Sequence, residues 1–341
     1  MPFDLDNLKV TGSPAPVLDH VRMEANLGAT HYNISNDGML VYLPGVFQGK
    51  STLIWLDRKG QAEQLQFPAE TYDAYQLSPD GKRLIIGVQS AKQDVWIFDL
   101  LRGSRSRLTI DGNNLFPVWT PDGGSVIFTS DRAGAYNIFV QSADGSGEIK
   151  QLTQSEVLHL PSSCSPDGKL LALNVQGQTD DIYLVSINSE SKWQPFATSR
   201  FNEWGPAFSP DGQLIAYTSD EQGQSDVYVQ PYPQTGEKRR ISTEGGSNSI
   251  WSRSTSELFY RVGGKWMAVS YSTNPKISFE LPKALFEGDY VRVPGGRSYD
   301  VSPDGQRFLL LKSSEEPSRQ TQLNVVTNWF EELKRKAPRG K

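Results

Sequence analysis

The amino-acid sequence predicts an all-β fold: a seven-bladed β-propeller of four-stranded antiparallel blades, with six blades as the alternative count and a short C-terminal helix. Three observations predict it. Intact Ser-Pro-Asp-Gly phrases stand at 78–81, 165–168, 209–212 and 302–305. Near copies, Ser35-Asn36-Asp37-Gly38 and Thr120-Pro121-Asp122-Gly123, and a worn copy, Ser252-Arg253-Ser254-Thr255, complete the series. The third positions, 37, 80, 122, 167, 211, 254 and 304, are 43, 42, 45, 44, 43 and 50 residues apart, which is the period of a propeller blade. Between the phrases run β-branched and aromatic stretches without helical periodicity.

The stretch from Asn114 to Thr153 shows what one repeat builds. An apolar run, Phe116 to Trp119, enters the turn phrase; Ser125 to Thr129, Tyr136 to Val140 and Gln151 to Thr153 supply three further strands. Pro presets φ for the turn, Asp bonds the backbone ahead, and Gly accepts positive φ, so the aspartates read as turn formers. An Asp or Asn also precedes the third strand at Asp94, Asn137, Asp181 and Asp226, where it would tie that strand to a neighbouring loop. Trp55, Trp96 and Trp119 read as core between blades.

On this reading residues 1–341 form one domain, with blades near 29–67, 72–109, 114–153, 158–198, 203–243, 247–287 and 297–327. Residues 15–21 would close the last blade, and 328–341 would form a helix, from Trp329 to Lys334, with a basic tail. Met1 to Asp6 resembles a third strand and would compete with 322–326 for one slot, so the chain is read as the tail of a longer parent.

Composition excludes several classes. A net charge of −5 argues against a nucleic-acid binder, and the one basic cluster sits at the C-terminal tail. No run of apolar residues is long enough for membrane insertion, and the start has no signal-peptide pattern. The single Cys164 falls in an apolar strand and reads as a buried thiol. No Gly-x-Ser-x-Gly elbow or His-Glu-x-x-His occurs, and Gly245-Gly246 and Gly295-Gly296 have no helix behind them to bind phosphate.

The turn phrases, the apolar strands after them and third strands such as Asp181-Ile182-Tyr183 resemble TolB-like propeller repeats, relatives of WD repeats, along essentially the whole chain. More narrowly, Leu53 to Arg58, Glu257 to Tyr260, Tyr299 to Gly305 and Asn328 to Leu333 resemble the C-terminal propeller of some bacterial membrane-anchored serine/threonine kinases. No kinase motif is present. The resemblance implies a sensing or protein-binding domain on the extracytoplasmic side, without transferable catalytic residues. TolB itself is six-bladed, and seven repeats depart from it.

In a propeller the loops entering the innermost strands converge on one mouth of the channel. Those loops carry His31, Tyr72, Asp73, Asn114, His159, Glu203, Trp204, Asn248 and Arg297, which are the candidate ligand-binding residues. The expected function is a monomeric scaffold that binds a protein, peptide or small molecule there, with no cofactor. The alternative is a hydrolase or lyase for esters, lactones or phosphotriesters. Its candidate catalytic or metal-binding residues are His159 and Glu203, with a divalent cation such as Ca²⁺.

Overall fold

The turn phrases close hairpins, and their hydrogen bonds show why these residue types are used. The Ser78 hydroxyl donates to Asp80 Oδ1 (2.6 Å) and accepts from the Arg83 amide (2.9 Å). Gly81, at φ 72°, donates its amide to Ser78 O (2.8 Å). The same bonds recur at Ser165, Ser209 and Ser302, and Thr120 takes the serine role in its phrase. These hydroxyls hold the carboxyls of Asp80, Asp122, Asp167 and Asp304 below the ordinary carboxylate value.

The computed structural model describes residues 3–4, 7–10, 17–18, 21, 23–24, 29–44, 49–187, 192–314 and 323–336. The chain falls into two compact units, Lys50–Ser314 and Met1–Gly49 with Glu315–Lys341, where the sequence suggested one domain.

Lys50–Ser314 contains six sheets, called blades 1 to 6 here. Blade 1 runs Tyr72–Leu77, Arg83–Gln89, Gln93–Asp99 and Ser104–Arg107 from inner to outer strand. Blades 2, 3, 4 and 5 begin with the inner strands Asn114–Trp119, His159–Cys164, Glu203–Phe208 and Ser247–Trp251. Blade 6 takes its two inner strands, Tyr299–Val301 and Arg307–Ser313, from one end of the unit and Ser51–Asp57 and Ala62–Gln64 from the other. The register Arg307↔Asp57 through Ser313↔Ser51 closes the ring.

This closure redraws the predicted ends. Residues 51–64, expected in a first blade with 29–42, complete blade 6 instead. Asn324–Val326, expected beside 307–311, pairs with Leu40–Tyr42, which also pairs with Tyr32–Ile34. Phe3–Asp4 pairs with Lys9–Val10 and so does not compete with 322–326. Most of 15–21, including His20, lies outside the described residues. The seven phrases thus map onto six sheets in one unit and a three-stranded sheet in the other. The helix is found at Trp329–Lys336; Trp329 is buried and donates its amide to Gly38 O (2.9 Å).

Six apolar clusters fill the seams between successive blades. One joins Leu53, Trp55 and Leu309 of blade 6 to Tyr72 and Ile86 of blade 1. Another joins Ile85 and Val95 to Trp119 and Phe128, and the series continues to the seam of Phe259 and Trp266 with Tyr299 and Phe308. Trp55 and Trp119 are core, as expected, whereas Trp96 is half-buried against Arg105. Three of the four residues expected to tie the third strand to a neighbouring loop do so, whereas Asp181 accepts from Thr179 of its own loop (3.4 Å). Asp94, Asn137 and Asp226 accept hydrogen bonds from Thr109, Thr153 and Ser242, whose hydroxyls in turn accept the amides of Val95, Ile138 and Val227.

The turns also interlock. A Cβ on Gly81 would stand 2.6 Å from Pro303 Cγ, one on Gly123 3.4 Å from Pro79 Cδ, and one on Gly212 3.3 Å from Pro166 Cδ. Gly81→Ala therefore meets both a left-handed φ and a clash, and is expected to cost about 2–3 kcal/mol. Gly103→Ala, at φ 64° with nothing within 4 Å, should cost only about 1 kcal/mol. Urea unfolding followed by tryptophan fluorescence measures both, and equal losses would contradict the interlock.

The turn carboxyls give an acid limb. Because their folded pKa is depressed, their stabilisation is complete above the unfolded value of about 3.9 and is lost as pH falls through the folded value. Ser302→Ala should raise the Asp304 pKa and shrink the stability difference between neutral pH and about pH 3. An unchanged Asp304 titration by carboxyl NMR would show that the hydroxyl is not the cause.

Candidate functional site

Each of five inner strands carries one residue more than its partner strand over the same stretch, a β-bulge. Three of these bulges place a residue at positive φ at the same step of the repeat: Phe116 (50°), Gly205 (65°) and Asn248 (58°). The bulge re-aims the strand. The position six residues before the third turn residue then faces the axis in every blade: Ala74, Phe116, Pro161, Gly205, Asn248 and Ser298 all line one cavity of about 350 Å³. Tyr75, Pro117, Ser162, Pro206 and Ser249 follow them into its wall.

A loop entering blade 6, residues 291–298, completes the mouth. Gly295 and Gly296 let its backbone approach the rest of the wall: a Cβ on Gly296 would lie 2.9 Å from Ala74 Cβ and 3.3 Å from Phe116 Cδ1. Val293 N donates to Ser298 Oγ (3.0 Å) and Ser298 N to Asn248 Oδ1 (3.4 Å), fixing the loop to itself and to blade 5. Arg292 and Arg297 flank the turn, and Arg261, from the second strand of blade 5, also reaches the cavity.

Arg297 also lines a second cavity of about 200 Å³ toward the turn phrases. Its guanidinium lies 3.5 Å from Asp300 Oδ1 and donates to Ser162 O (3.5 Å). Asp300 further accepts the Leu77 amide (2.7 Å). Arg253, in the worn turn phrase, crosses to blade 1 and donates to Leu77 O (3.0 Å) and Ser78 O (2.6 Å). Arg297 is thus held inside the channel between the two cavities. Cys164 lines the second cavity, and burial pushes its thiol up to about 12.

Of the nine candidate residues, Trp204, Asn248 and Arg297 line the cavity. The others occupy different places. Tyr72 packs on Phe98 in a blade seam and donates its hydroxyl to Pro68 O (2.6 Å). Asp73 accepts from the Gln93 side chain. Asn114 is buried and bonds Asp111 O (3.0 Å) and the Arg132 guanidinium (2.9 Å). His31 belongs to the other unit.

His159 and Glu203 are both buried, and neither lines the cavity. The His159 ring lies 4.8 Å from the Trp193 ring, and burial lowers its pKa. Burial raises the pKa of Glu203, whose carboxylate accepts from Ser199. No hydrogen bond or ion pair between His159 and Glu203 occurs among the described contacts. Among the described residues no three His, Cys, Asp or Glu side chains converge as a cation would require.

Counting back eight residues before the turn lands outside the cavity wall at Tyr72, Asn114, His159 and Glu203, whereas the position two residues later, at the bulge, lines it in every blade. Proline inside an apolar strand, as at Pro117, Pro161 and Pro206, was the available signal for that bulge. Arg261 had its own signal, a lone charge in the strand Leu258-Phe259-Tyr260-Arg261-Val262.

A ring of antiparallel sheets with hairpin turns at one end and a cavity at the bulged ends of the inner strands defines a propeller domain of the TolB-like class. The model of the TolB beta propeller domain family, PD40, matches residues 35–179 and 146–279, and the chain belongs to that family. The Tol-Pal system protein TolB of Francisella tularensis subsp. tularensis is 26% identical over 191 residues, 54% of this chain and 44% of that protein. An uncharacterized protein of Agrobacterium fabrum is 29% identical over 228 residues, 62% of this chain and 77% of its own. The chain thus spans less than half the length of the Francisella TolB it matches. The structure of a putative TolB from Agrobacterium tumefaciens superposes with a TM-score of 0.65 at 18% identity, covering 79% of this chain and 99% of that one. TolB from Acinetobacter baumannii gives 0.54 at 19%, covering 72% and 66%.

The bulge can be tested at Asn248. Both Asn248→Gly and Asn248→Val remove the acceptor of the Ser298 amide, so the backbone effect is their difference: the valine should cost about 1–2 kcal/mol more than the glycine, which is suited to left-handed φ. Denaturant unfolding of both variants measures this, and a valine no worse than the glycine would contradict the left-handed bulge.

Proposed function

We propose that this propeller is a binding module that takes an extended peptide segment of a protein partner into the cavity at the bulged end of its channel. The single observation that carries this reading is the composition of the cavity wall. Among the described residues it combines apolar surfaces from Phe116, Val118, Ile250 and Val293 with serine hydroxyls and three arginines, and contains no His, Asp, Glu, Cys or Lys. Such a wall offers shape, hydrogen bonds and cationic contact but no side-chain general base. The cavity volume, about 350 Å³, suits a few side chains rather than a folded surface. Inner strands cross-linked around the ring, as by Trp119 N to Gln76 Oε1 (2.7 Å) and Phe208 N to Ser163 Oγ (3.1 Å), keep the cavity open before binding and so reduce the entropy lost on association. The name of the matched relatives, as proteins of a Tol-Pal system, favours a protein partner.

Selection from a displayed random-peptide library tests the reading. Selected peptides are expected to bind with Kd near 1 μM, about −8 kcal/mol. Ser162→Trp, which fills the cavity from its wall, should weaken them at least about tenfold, and Leu101→Ser, on an exposed loop, should not. Peptides that bind a natively folded Ser162→Trp variant as well as the wild type would overturn it.

A further inference from the structure

Among the described residues three arginines reach the cavity and no carboxylate lines it. Arg297 is accounted for by Asp300 and Ser162. Arg261 is not. Its residue is only 5% exposed, and its guanidinium stacks 4.2 Å over the Trp266 ring. Among the described residues no carboxylate or carbonyl accepts a hydrogen bond from it. Arg292 stands exposed on the rim, also without a hydrogen-bonded acceptor among the described residues. The two lie close enough for the Arg292 charge to add to burial in lowering the Arg261 pKa. Asp289 acts in the opposite sense on Arg261, from outside the cavity wall and without an ion pair.

A guanidinium that meets solvent only through the cavity, pressed on an aromatic face and without a protein acceptor among the described residues, is incompletely solvated in the empty protein. A second cation beside it adds repulsion. Both costs vanish when an anion enters. Each guanidinium presents a planar pair of donors that matches the two oxygens of a carboxylate. The neighbouring wall, with Phe116, Ile250 and Val293, suits the short apolar stem that carries such a group.

We infer that Arg261 and Arg292 form the specificity subsite of the cavity and hold a carboxylate of the bound peptide, from an aspartate or glutamate side chain or from a C-terminus. This rests on the peptide-binding reading above for its source, and on the arginines alone for its chemistry. A free dicarboxylic acid shares that chemistry, so the test separates the two.

The experiment follows the arginine Nε–Hε resonances of the intact chain by NMR. The probes are glutarate, acetyl-Gly-Glu-Gly-amide, the Gln counterpart of that peptide, and inorganic phosphate. Glutarate and the Glu peptide are expected to shift the Arg261 resonance with Kd near 1 mM, and the Gln peptide should not bind measurably. Arg292→Gln, at an exposed position, should weaken both about fivefold or more. Arg261→Lys keeps the charge but loses the fork and should do the same, and Asp289→Asn should tighten binding. Equal binding of the Gln peptide, preference for phosphate over glutarate, absence of any shift, or full affinity in Arg292→Gln each overturns the inference. Library peptides that bind without regard to charge would sink the carboxylate subsite and leave the module. Glutarate binding without any selected peptide would sink the peptide reading and leave the anion site.

Discussion

The structure of Lys50–Ser314 depends on one pairing, the antiparallel register of Arg307–Ser313 with Ser51–Asp57. A blade is apolar on both faces, so each needs a neighbour on each side. In a row, the first and last blades would leave two such faces in water. Pairing the two ends in one sheet places Leu53, Trp55 and Leu309 against blade 1 and Leu56, Phe308 and Leu310 against blade 5, so that no seam is left open. The pairing is also the most non-local in the unit, joining residues more than two hundred positions apart. Its loop-closure entropy must be offset by burial spread over the whole ring. Its register covers all seven residues of Ser51–Asp57.

Closure places the inner strands around one axis, and the bulges decide what they present there. A regular strand sends its side chains alternately to the two faces of its blade, and so into the seams on either side. The extra residue breaks that alternation at the same step in successive blades. Small residues, prolines and hydroxyls then line the mouth, while bulkier neighbours such as Tyr72 and Leu115 turn into the seams. Phe116 is one of the bulky residues that do line it: its backbone is left-handed and its ring packs beside Gly295 and Gly296 of the loop entering blade 6. A bulky residue in that region is strained, and such strain persists where surrounding contacts over-determine it. The mouth is therefore built from two elements that lock each other, a bulged strand and a glycine turn.

Much of this was legible in the sequence. The repeat period, the Ser-Pro-Asp-Gly turn and the Asp or Asn before the third strand are local signals, because a turn's hydrogen bonds lie within six residues of one another. The assignment of the ends was not legible, because Ser51–Asp57 reads equally well as the third strand of a first blade and of the last. Only the competition between two long-range partners decides that. The candidate site was legible in place but shifted in register. Asn114, His159 and Glu203 occupy equivalent positions, as their spacing implied, yet an inserted residue turns the next part of each strand toward the axis. Arg261 and Arg292 come from a second strand and from a loop tens of residues away, so no single-repeat pattern could bring them together.

The charge of the cavity runs against that of the chain. With a net charge of −5 the molecule as a whole repels anions, and at physiological salt its surface charges are screened within about 8 Å. Inside a partly closed cup the solvent screens less, and the arginines act at short range on whatever enters. Long-range steering and local recognition therefore have opposite signs here. On the proposed reading an acidic segment would gain little from diffusion toward this protein and more from the final contact, so discrimination would appear in how long a ligand stays rather than in how fast it arrives. On the proposed reading that separation would follow from the placement of Arg261 on Trp266, whose ring narrows the guanidinium's access to water and holds it in place.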